Sequence, residues 1–129
     1  TRPFQSVLDV AGSVTRLLDL IAGGQVGSYD VWDLGPRGNS FASVSEVLGL
    51  FTREFDELSV IEDPERVKED INLAIDVTKL SKLVMAPRYD SLEAIKLAVA
   101  WYKEYALGKS PGELLTDAIY RSTDPWVCP

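Results

Sequence analysis

The stretch Thr1-Arg2-Pro3-Phe4-Gln5-Ser6-Val7-Leu8-Asp9 leads directly into a run of apolar residues at helical spacing. These residues recur at intervals of three and four, as on one face of a helix, at Val7, Val10, Ala11, Val14, Leu17, Leu18 and Ile21. The spacing predicts an amphipathic helix over residues 6–22. Gly23 and Gly24 end that helix, because glycine adopts the left-handed conformation of a helix C-terminus at little cost.

Two short strands are predicted further along the chain. Residues 29–34 are rich in strand-forming side chains and are bounded by Gly35-Pro36. Residues 58–61 form a second candidate strand, which ends before Pro64 because proline interrupts strand pairing. The first segment is apolar enough on both faces to need neighbouring strands, and residues 58–61 are one candidate neighbour.

Four more helices are predicted from polar residues that cap a helix N-terminus. Two capping boxes, in which a Ser or Asp precedes a Glu by three residues, open helices over residues 44–55 and from residue 91 to Gly108. An aspartate starts a short helix that ends before Pro87, and a Ser-Pro-Gly-Glu sequence starts the last helix. The four cap residues are Ser43, Asp76, Asp90 and Ser110. The expected fold class is α+β and mostly helical, with about five helices and two or three short strands in a single domain over residues 1–129.

Composition limits the classes of function. The formal net charge of −7 argues against a non-specific nucleic-acid binder, which needs a basic face. The chain has no histidine and only one cysteine, Cys128, which excludes the usual catalytic triads, an internal disulfide and a Cys-based zinc site. A single cysteine fits a reducing cytoplasm. No apolar run approaches the roughly 20 residues that span a bilayer.

Four segments together resemble the CDP-glucose 4,6-dehydratases, a family of the extended short-chain dehydrogenase/reductase superfamily. The opening motif, residues 1–9, resembles the R-P-W-Q-H-V-L-D/E segment at which that family enters its substrate-binding part. The Gly-Pro motif, residues 31–36, resembles W-N-F-G-P. The Asp-Lys motif, residues 74–79, resembles the superfamily's x-L/I-D-x-S/T-K helix entry, and the Trp-Tyr motif, residues 101–108, resembles its W-Y-K…G pattern.

The resemblance implies that the chain is the C-terminal, substrate-binding portion of a longer NAD-dependent lyase or epimerase that acts on a sugar nucleotide. The Rossmann half, which holds NAD and supplies most of the parallel sheet, would be absent from residues 1–129. No cofactor and no metal are therefore expected in this chain. A different class of function remains open, a free-standing helical interaction or assembly module without catalysis.

The implied partners follow from the same resemblance. They are the nucleotide sugar and, in addition, either the missing nucleotide-binding half or another protein chain. Neither nucleic acid nor a membrane is expected as a partner. The sequence is compatible with a homo-oligomer. The faces that would meet the missing half, on the first helix and on residues 29–34, are expected to be exposed.

Polar residues in the first two motifs are candidates for binding the nucleotide sugar. The opening motif would border the cleft between the two halves, where Arg2 offers a planar set of donors to a phosphate and Gln5 lies nearby. Arg2 could equally pair with Asp9 or Asp33 and serve only the structure. Asn39 falls where relatives place a polar residue near the ligand, although loop asparagines are often turn formers.

A basic residue of the family is replaced in this chain. Relatives carry an Arg or His shortly before the Asp-Lys motif, where it reaches the nucleotide phosphates, whereas residues 70–72 here are Asp-Ile-Asn. Arg66 or Lys68 could substitute from a loop, although basic residues in such a polar run are more often solvated surface residues. Phe4 and Ser6 also replace the family's tryptophan and histidine. The predicted substrate-binding residues are therefore Arg2, Gln5, Asn39, Arg66, Lys68 and Asn72.

The parts that such enzymes use for catalysis are missing. No group of glycines has the spacing of the turn that binds a dinucleotide pyrophosphate. Tyr105 and Lys109 match a Tyr-x-x-x-Lys pair by spacing, but Gly108 stops the helix between them, so we interpret them as a packing tyrosine beside a surface lysine. No catalytic residue is predicted, and the chain alone is not expected to turn over substrate.

Overall fold

The computed structural model describes residues 1–61, 73–83 and 86–122. This part of the chain is mostly helical, which confirms the helix-rich class. Its helices are α1 (Val7–Ala22), α2 (Val44–Glu54), α3 (Thr78–Ser81), α4 (Ser91–Ala106) and α5 (Pro111–Ser122), with a single 3-10 turn at Arg37–Asn39.

Helices α2, α4 and α5 begin at the polar caps that the sequence predicts, and α1 begins at a cap that it did not single out. The Ser6 hydroxyl accepts a hydrogen bond from the N–H of Leu8 at the start of α1. Both capping boxes are formed, at the starts of α2 and α4, and Ser110 and Glu113 make the same reciprocal contacts at α5. The Asp76 carboxylate accepts from the N–H of Thr78, but the N-cap position of α3 is Val77 rather than the predicted Asp76, and α3 ends at Ser81, before Leu83.

The predicted strands at 29–34 and 58–61 are wrong, because the described residues contain no strand. Neither segment has a neighbouring segment with which to form a ladder. In the described ranges the one bridge of β type joins Arg2 and Ala42, whose backbone N–H and C=O groups exchange hydrogen bonds of 2.9 and 3.0 Å. A strand needs a paired neighbour, which neither segment has among the described residues.

The core consists of two clusters of apolar side chains. The α1–α3 cluster contains Leu17, Leu20 and Leu80, against which Val26, Trp32 and Leu34 pack. The α2–α4 cluster contains Ala42, Ile95 and Val99, against which Phe4, Val47, Leu50, Phe51 and Phe55 pack. Helix α4 also packs against α5, where Leu114 is buried.

Helix α1 carries apolar side chains on two sides, and only one of them is buried. Leu17 and Leu20 face the core together with the polar residues Asp9 and Ser13. Val7 and Leu18 are 73% and 60% exposed. The exposed side of α1 therefore lacks a partner among the described residues. Nowhere in that part of the chain is a helix both long enough and apolar enough to cross a membrane.

Candidate functional site

Three of the four family-like motifs meet at Gly35. The side-chain amide of Gln5, in the opening motif, donates a hydrogen bond to the Gly35 carbonyl oxygen over 2.9 Å. A Cβ atom on Gly35 would lie 2.8 Å from Val77 Cγ1 and 3.3 Å from the Cβ of Ile75, both in the Asp-Lys motif. The absence of a side chain at Gly35 is thus what allows the Gly-Pro motif and the Asp-Lys motif to approach this closely.

The opening motif is also held from the side of α4. The Phe4 N–H donates to the Ser91 hydroxyl over 3.1 Å, and that hydroxyl donates to the carbonyl oxygen of Ser40 over 2.9 Å. In return, the Ser91 N–H donates to the Ser40 hydroxyl over 2.8 Å. Because Ser91 is fully buried, these bonds are shielded from water and fix residues 2–5 beside residues 40–42.

Asp9 is a buried carboxylate that connects α1 to the loop before α4. It is 2% exposed, and its Oδ2 atom accepts a hydrogen bond from the backbone N–H of Tyr89 over 3.1 Å. The Tyr89 carbonyl oxygen accepts from the N–H of Arg37 over 2.9 Å. Asp9 therefore has a structural role at the α1–α4 junction. The spacing of apolar residues does not identify Asp9, because that pattern takes no account of polar residues on the buried face of a helix.

The structure describes three of the predicted substrate-binding residues, Arg2, Gln5 and Asn39, and their environments differ. Arg2 is partly buried, and its Nη1 atom donates to the Thr1 carbonyl oxygen over 2.9 Å. The Gln5 amide is engaged by Gly35. Asn39 is exposed in the 3-10 turn at φ +52°, the left-handed region that asparagine tolerates, as expected of a turn former.

The remaining candidates are Arg66, Lys68 and Asn72, and they lie outside the described residues. A basic side chain that the sequence did not single out does lie next to Asn39. Arg37 forms an ion pair with Glu93 at 2.7 Å and also donates to the carbonyl oxygen of Arg88. These contacts tie the 3-10 turn to the start of α4.

A surface pocket of about 720 Å³ lies between residues 25–32 and α3. Its apolar walls include Trp32, and its polar walls include Lys79 and Lys82. The Lys79 ammonium lies 4.1 Å from the Trp32 ring centroid, donates to the Val31 carbonyl oxygen over 2.8 Å and is 3.5 Å from Asp30 Oδ1. Lys79 thus fastens residues 30–32 to α3. Of the predicted substrate-binding residues, Arg2, Gln5 and Asn39 lie in the described part of the chain, and they do not line this pocket.

Surface ion pairs shift the pKa values of Lys103, Glu104 and Lys109, and the other altered pKa values among the described residues lie at helix starts. Hydrogen bonds from the side chain and the backbone N–H of Thr78 lower the pKa of Asp76, with a smaller contribution from the positive charge of Lys82. Hydrogen bonding to Ser43 lowers the pKa of Glu46. These groups stabilise helix starts, and their titration does not by itself indicate catalysis.

The Tyr105 and Lys109 side chains have separate structural partners. Tyr105 stacks on Trp101 with ring centroids 5.6 Å apart. Lys109 forms an ion pair with Glu104, and Gly108 between them has φ +97°, which ends the helical path. No cluster of three or more residues of metal-binding type occurs within the described ranges.

Comparison of the chain with protein-family models, with curated proteins and with solved structures finds no match. The resemblance to the dehydratases is therefore carried by the four sequence motifs.

Proposed function

We propose that the chain is the nucleotide-sugar-binding part of a sugar-nucleotide 4,6-dehydratase or epimerase of the extended short-chain superfamily. The observation that carries this proposal is the meeting of three motifs at Gly35. The opening motif, the Gly-Pro motif and the Asp-Lys motif are far apart in the sequence, yet Gln5 binds Gly35 and Gly35 packs on Val77. Chance matches to a family pattern give no reason for such contacts, whereas motifs retained from one fold do.

In this proposal Arg2 provides the main polar contact to the ligand. A guanidinium carries five donors in a planar arrangement, so it can bind the Thr1 carbonyl oxygen and a diphosphate oxygen together. Gln5 positions the opening motif by its bond to Gly35. Asn39 lies on the exposed turn that precedes the Arg2–Ala42 bridge and is the second proposed contact. Arg66, Lys68 and Asn72 are further proposed contacts.

NAD does not fit the glycines of the described residues. Gly23 and Gly24 end α1, Gly35 is packed against Ile75 and Val77, and Gly38 lies inside the 3-10 turn. None of them forms the turn between a strand and a helix N-terminus on which a pyrophosphate rests. We therefore assign to this chain the binding of the sugar nucleotide, and assign the redox chemistry to a nucleotide-binding half in the parent protein.

Titration of the isotope-labelled chain with CDP-glucose, followed by NMR, tests the proposal. We expect the amide signals of Arg2, Phe4, Gln5 and residues 37–42 to shift, because these residues surround Arg2 and Asn39. Glucose alone serves as the matched control and should leave them in place, because the phosphate charge supplies most of the attraction to Arg2. If CDP-glucose leaves these signals unchanged while the chain is folded, the proposal fails.

The alternative function, a free-standing interaction or assembly module, is compatible with the same exposed surfaces. Apolar side chains are exposed along α1, and Tyr29 and Val31 are also 98% and 79% exposed. Both functions require a partner for these surfaces, so exposure alone does not separate them. The coding sequence upstream of Thr1 does: a Gly-rich β-α-β unit and a Tyr-x-x-x-Lys pair support the enzyme part, and a nearby start codon supports the module.

A further inference from the structure

We propose that Ser91, the first residue of α4, is a positioning residue for the nucleotide-sugar site, an inference that rests on the proposed function. Its side chain joins the two segments that carry the proposed ligand contacts, Arg2 in the opening motif and Asn39 in the 3-10 turn. Ser91 is fully buried, so it does not itself contact the ligand. It acts on ligand binding through the two segments that it holds.

The hydroxyl group of Ser91 takes the place of a backbone hydrogen bond between these segments. Arg2 and Ala42 form an isolated antiparallel bridge. In a regular ladder the next hydrogen-bonded pair lies two residues further along each segment, and it would join Phe4 directly to Ser40. Here the Phe4 N–H donates to Ser91 Oγ over 3.1 Å, and that hydroxyl donates to the Ser40 carbonyl oxygen over 2.9 Å.

The inserted hydroxyl determines how the two segments separate. A direct bond between backbone N and O spans about 2.9 Å, whereas two bonds in sequence connect Phe4 to Ser40. The segments are therefore paired at Arg2 and held further apart at Phe4. Asn39 precedes Ser40 on the separated side. The position of Arg2 relative to Asn39 thus depends on the Ser91 side chain.

This connection is rigid, because Ser91 is bonded to Ser40 through its backbone as well. The Ser91 N–H donates to Ser40 Oγ over 2.8 Å, and the two hydroxyl oxygens lie 3.4 Å apart. Ser91 and Ala42 are both 0% exposed, so water does not compete for these bonds. A ligand that binds to segments already fixed in place loses less free energy to their ordering.

Ser91→Ala, titrated with CDP-glucose and followed by NMR, tests the proposal. The affinity should fall about two- to tenfold, the equivalent of one neutral hydrogen bond. Ser13→Ala is the matched control, because Ser13 is also a buried serine, 2% exposed, but it lies on α1. The control should leave the affinity of the folded chain unchanged, even where its melting temperature falls.

The same substitution in the Arg2→Ala chain separates positioning from stability. If Ser91 acts by placing the Arg2 guanidinium, its loss matters less once that group is gone. Ser91→Ala should then change the affinity less than about twofold in this background. A serine that serves only stability would give the same change with and without Arg2.

Ser40→Ala is the second variant and decides the question if Ser91→Ala does not fold. Ser40 is only partly buried, and its truncation removes the acceptor of the Ser91 N–H while the Phe4 bond remains. It should weaken binding in the original chain by about twofold or more, and by less in the Arg2→Ala chain. Equal affinity with and without the Ser40 hydroxyl would count against the proposal.

Failure of this inference is distinguishable from failure of the proposed function. If the original chain does not bind CDP-glucose, both are overturned. If the original chain binds and Ser91→Ala binds equally well, or if the loss is the same with and without Arg2, the role of Ser91 alone is overturned.

Discussion

The side-chain amide of Gln5 and the carbonyl oxygen of Gly35, 30 residues apart in sequence, are joined by a hydrogen bond of 2.9 Å. Gly35 in turn packs on Val77. Gly35 therefore contacts both Gln5, which precedes α1, and Val77, which precedes α3. A substitution at Gly35 should therefore disturb the packing of the segments that contain Gln5, Gly35 and Val77.

Gly35→Ala should destabilise the fold by about 1–3 kcal/mol, because the new methyl group would lie 2.8 Å from Val77 Cγ1. Urea denaturation measures the loss. Gly49→Ala is the matched control, since a Cβ there meets nothing within 4 Å and the residue lies in α2. That control should be neutral or more stable by about 0.5–1 kcal/mol.

The double variant identifies the cause. Val77→Ala removes the methyl group that opposes the new one, so it should cost less in the Gly35→Ala background than in the original chain. Additive effects of the two changes would show that Val77 is not the obstacle.

The helix starts could be predicted from sequence, whereas the strands could not. A helix start is a local event, in which Ser43 and Glu46 or Asp90 and Glu93 bond to each other's backbone. A strand requires a neighbour, and local composition at 29–34 carries no information on whether one is present. Residues 29–34 were predicted to need neighbours on both faces, whereas Trp32 and Leu34 pack against the α1–α3 cluster and Val31 and Asp33 are exposed.

The buried side of α1 could not be read from the spacing of apolar residues. Apolar side chains lie on two sides of this helix, and the core side includes the polar residues Asp9 and Ser13. Periodicity therefore predicts the helix but not its orientation. The same holds for the site: Gln5 was identified as a polar candidate, but its bond to Gly35 depends on tertiary contacts.

Adjacent leucines test the orientation of α1. Leu17 is 9% exposed and Leu18 is 60% exposed. Leu17→Ala should therefore cost about 2–5 kcal/mol by loss of burial and creation of a cavity, whereas Leu18→Ala should change stability by less than about 0.5 kcal/mol. Thermal denaturation of both variants under one set of conditions gives the comparison. Equal losses would mean that α1 is rotated relative to the core.

Acid should weaken the fold through its helix caps. Hydrogen bonding to Ser43 lowers the pKa of Glu46, and hydrogen bonding to Ser110 lowers the pKa of Glu113, both from the ordinary value of 4.5. A folded-state pKa below the unfolded one adds stability that is fully present above the ordinary pKa. That stability is lost as the pH falls through the lowered value.

Glu46→Gln and Glu113→Gln should each make stability less dependent on pH in this acidic range. Urea midpoints measured at several pH values from about 6 to about 3 give the slope. Ser43→Ala should remove only the smaller part of the Glu46 effect, because the backbone N–H that contributes most to the lowered pKa remains. An unchanged slope in the two glutamine variants would contradict the assignment to the caps.

Arg2→Ala separates ligand binding from structure in the opening motif. A guanidinium beside a diphosphate makes charge-assisted hydrogen bonds of roughly 1.5–3 kcal/mol, so the affinity for CDP-glucose should fall about ten- to a hundredfold. Stability should change less than affinity, because the bridge to Ala42 uses the backbone N–H and C=O of Arg2 and survives the substitution, while side-chain contacts such as the bond to the Thr1 carbonyl oxygen are lost. Arg2→Lys keeps the charge but lacks the planar donors, so its affinity for CDP-glucose should lie between that of the original chain and that of Arg2→Ala. Melting temperature and affinity are measured on the same preparations. A clearly lowered melting temperature with unchanged affinity would remove Arg2 from the binding site and make it a structural residue of the chain entry.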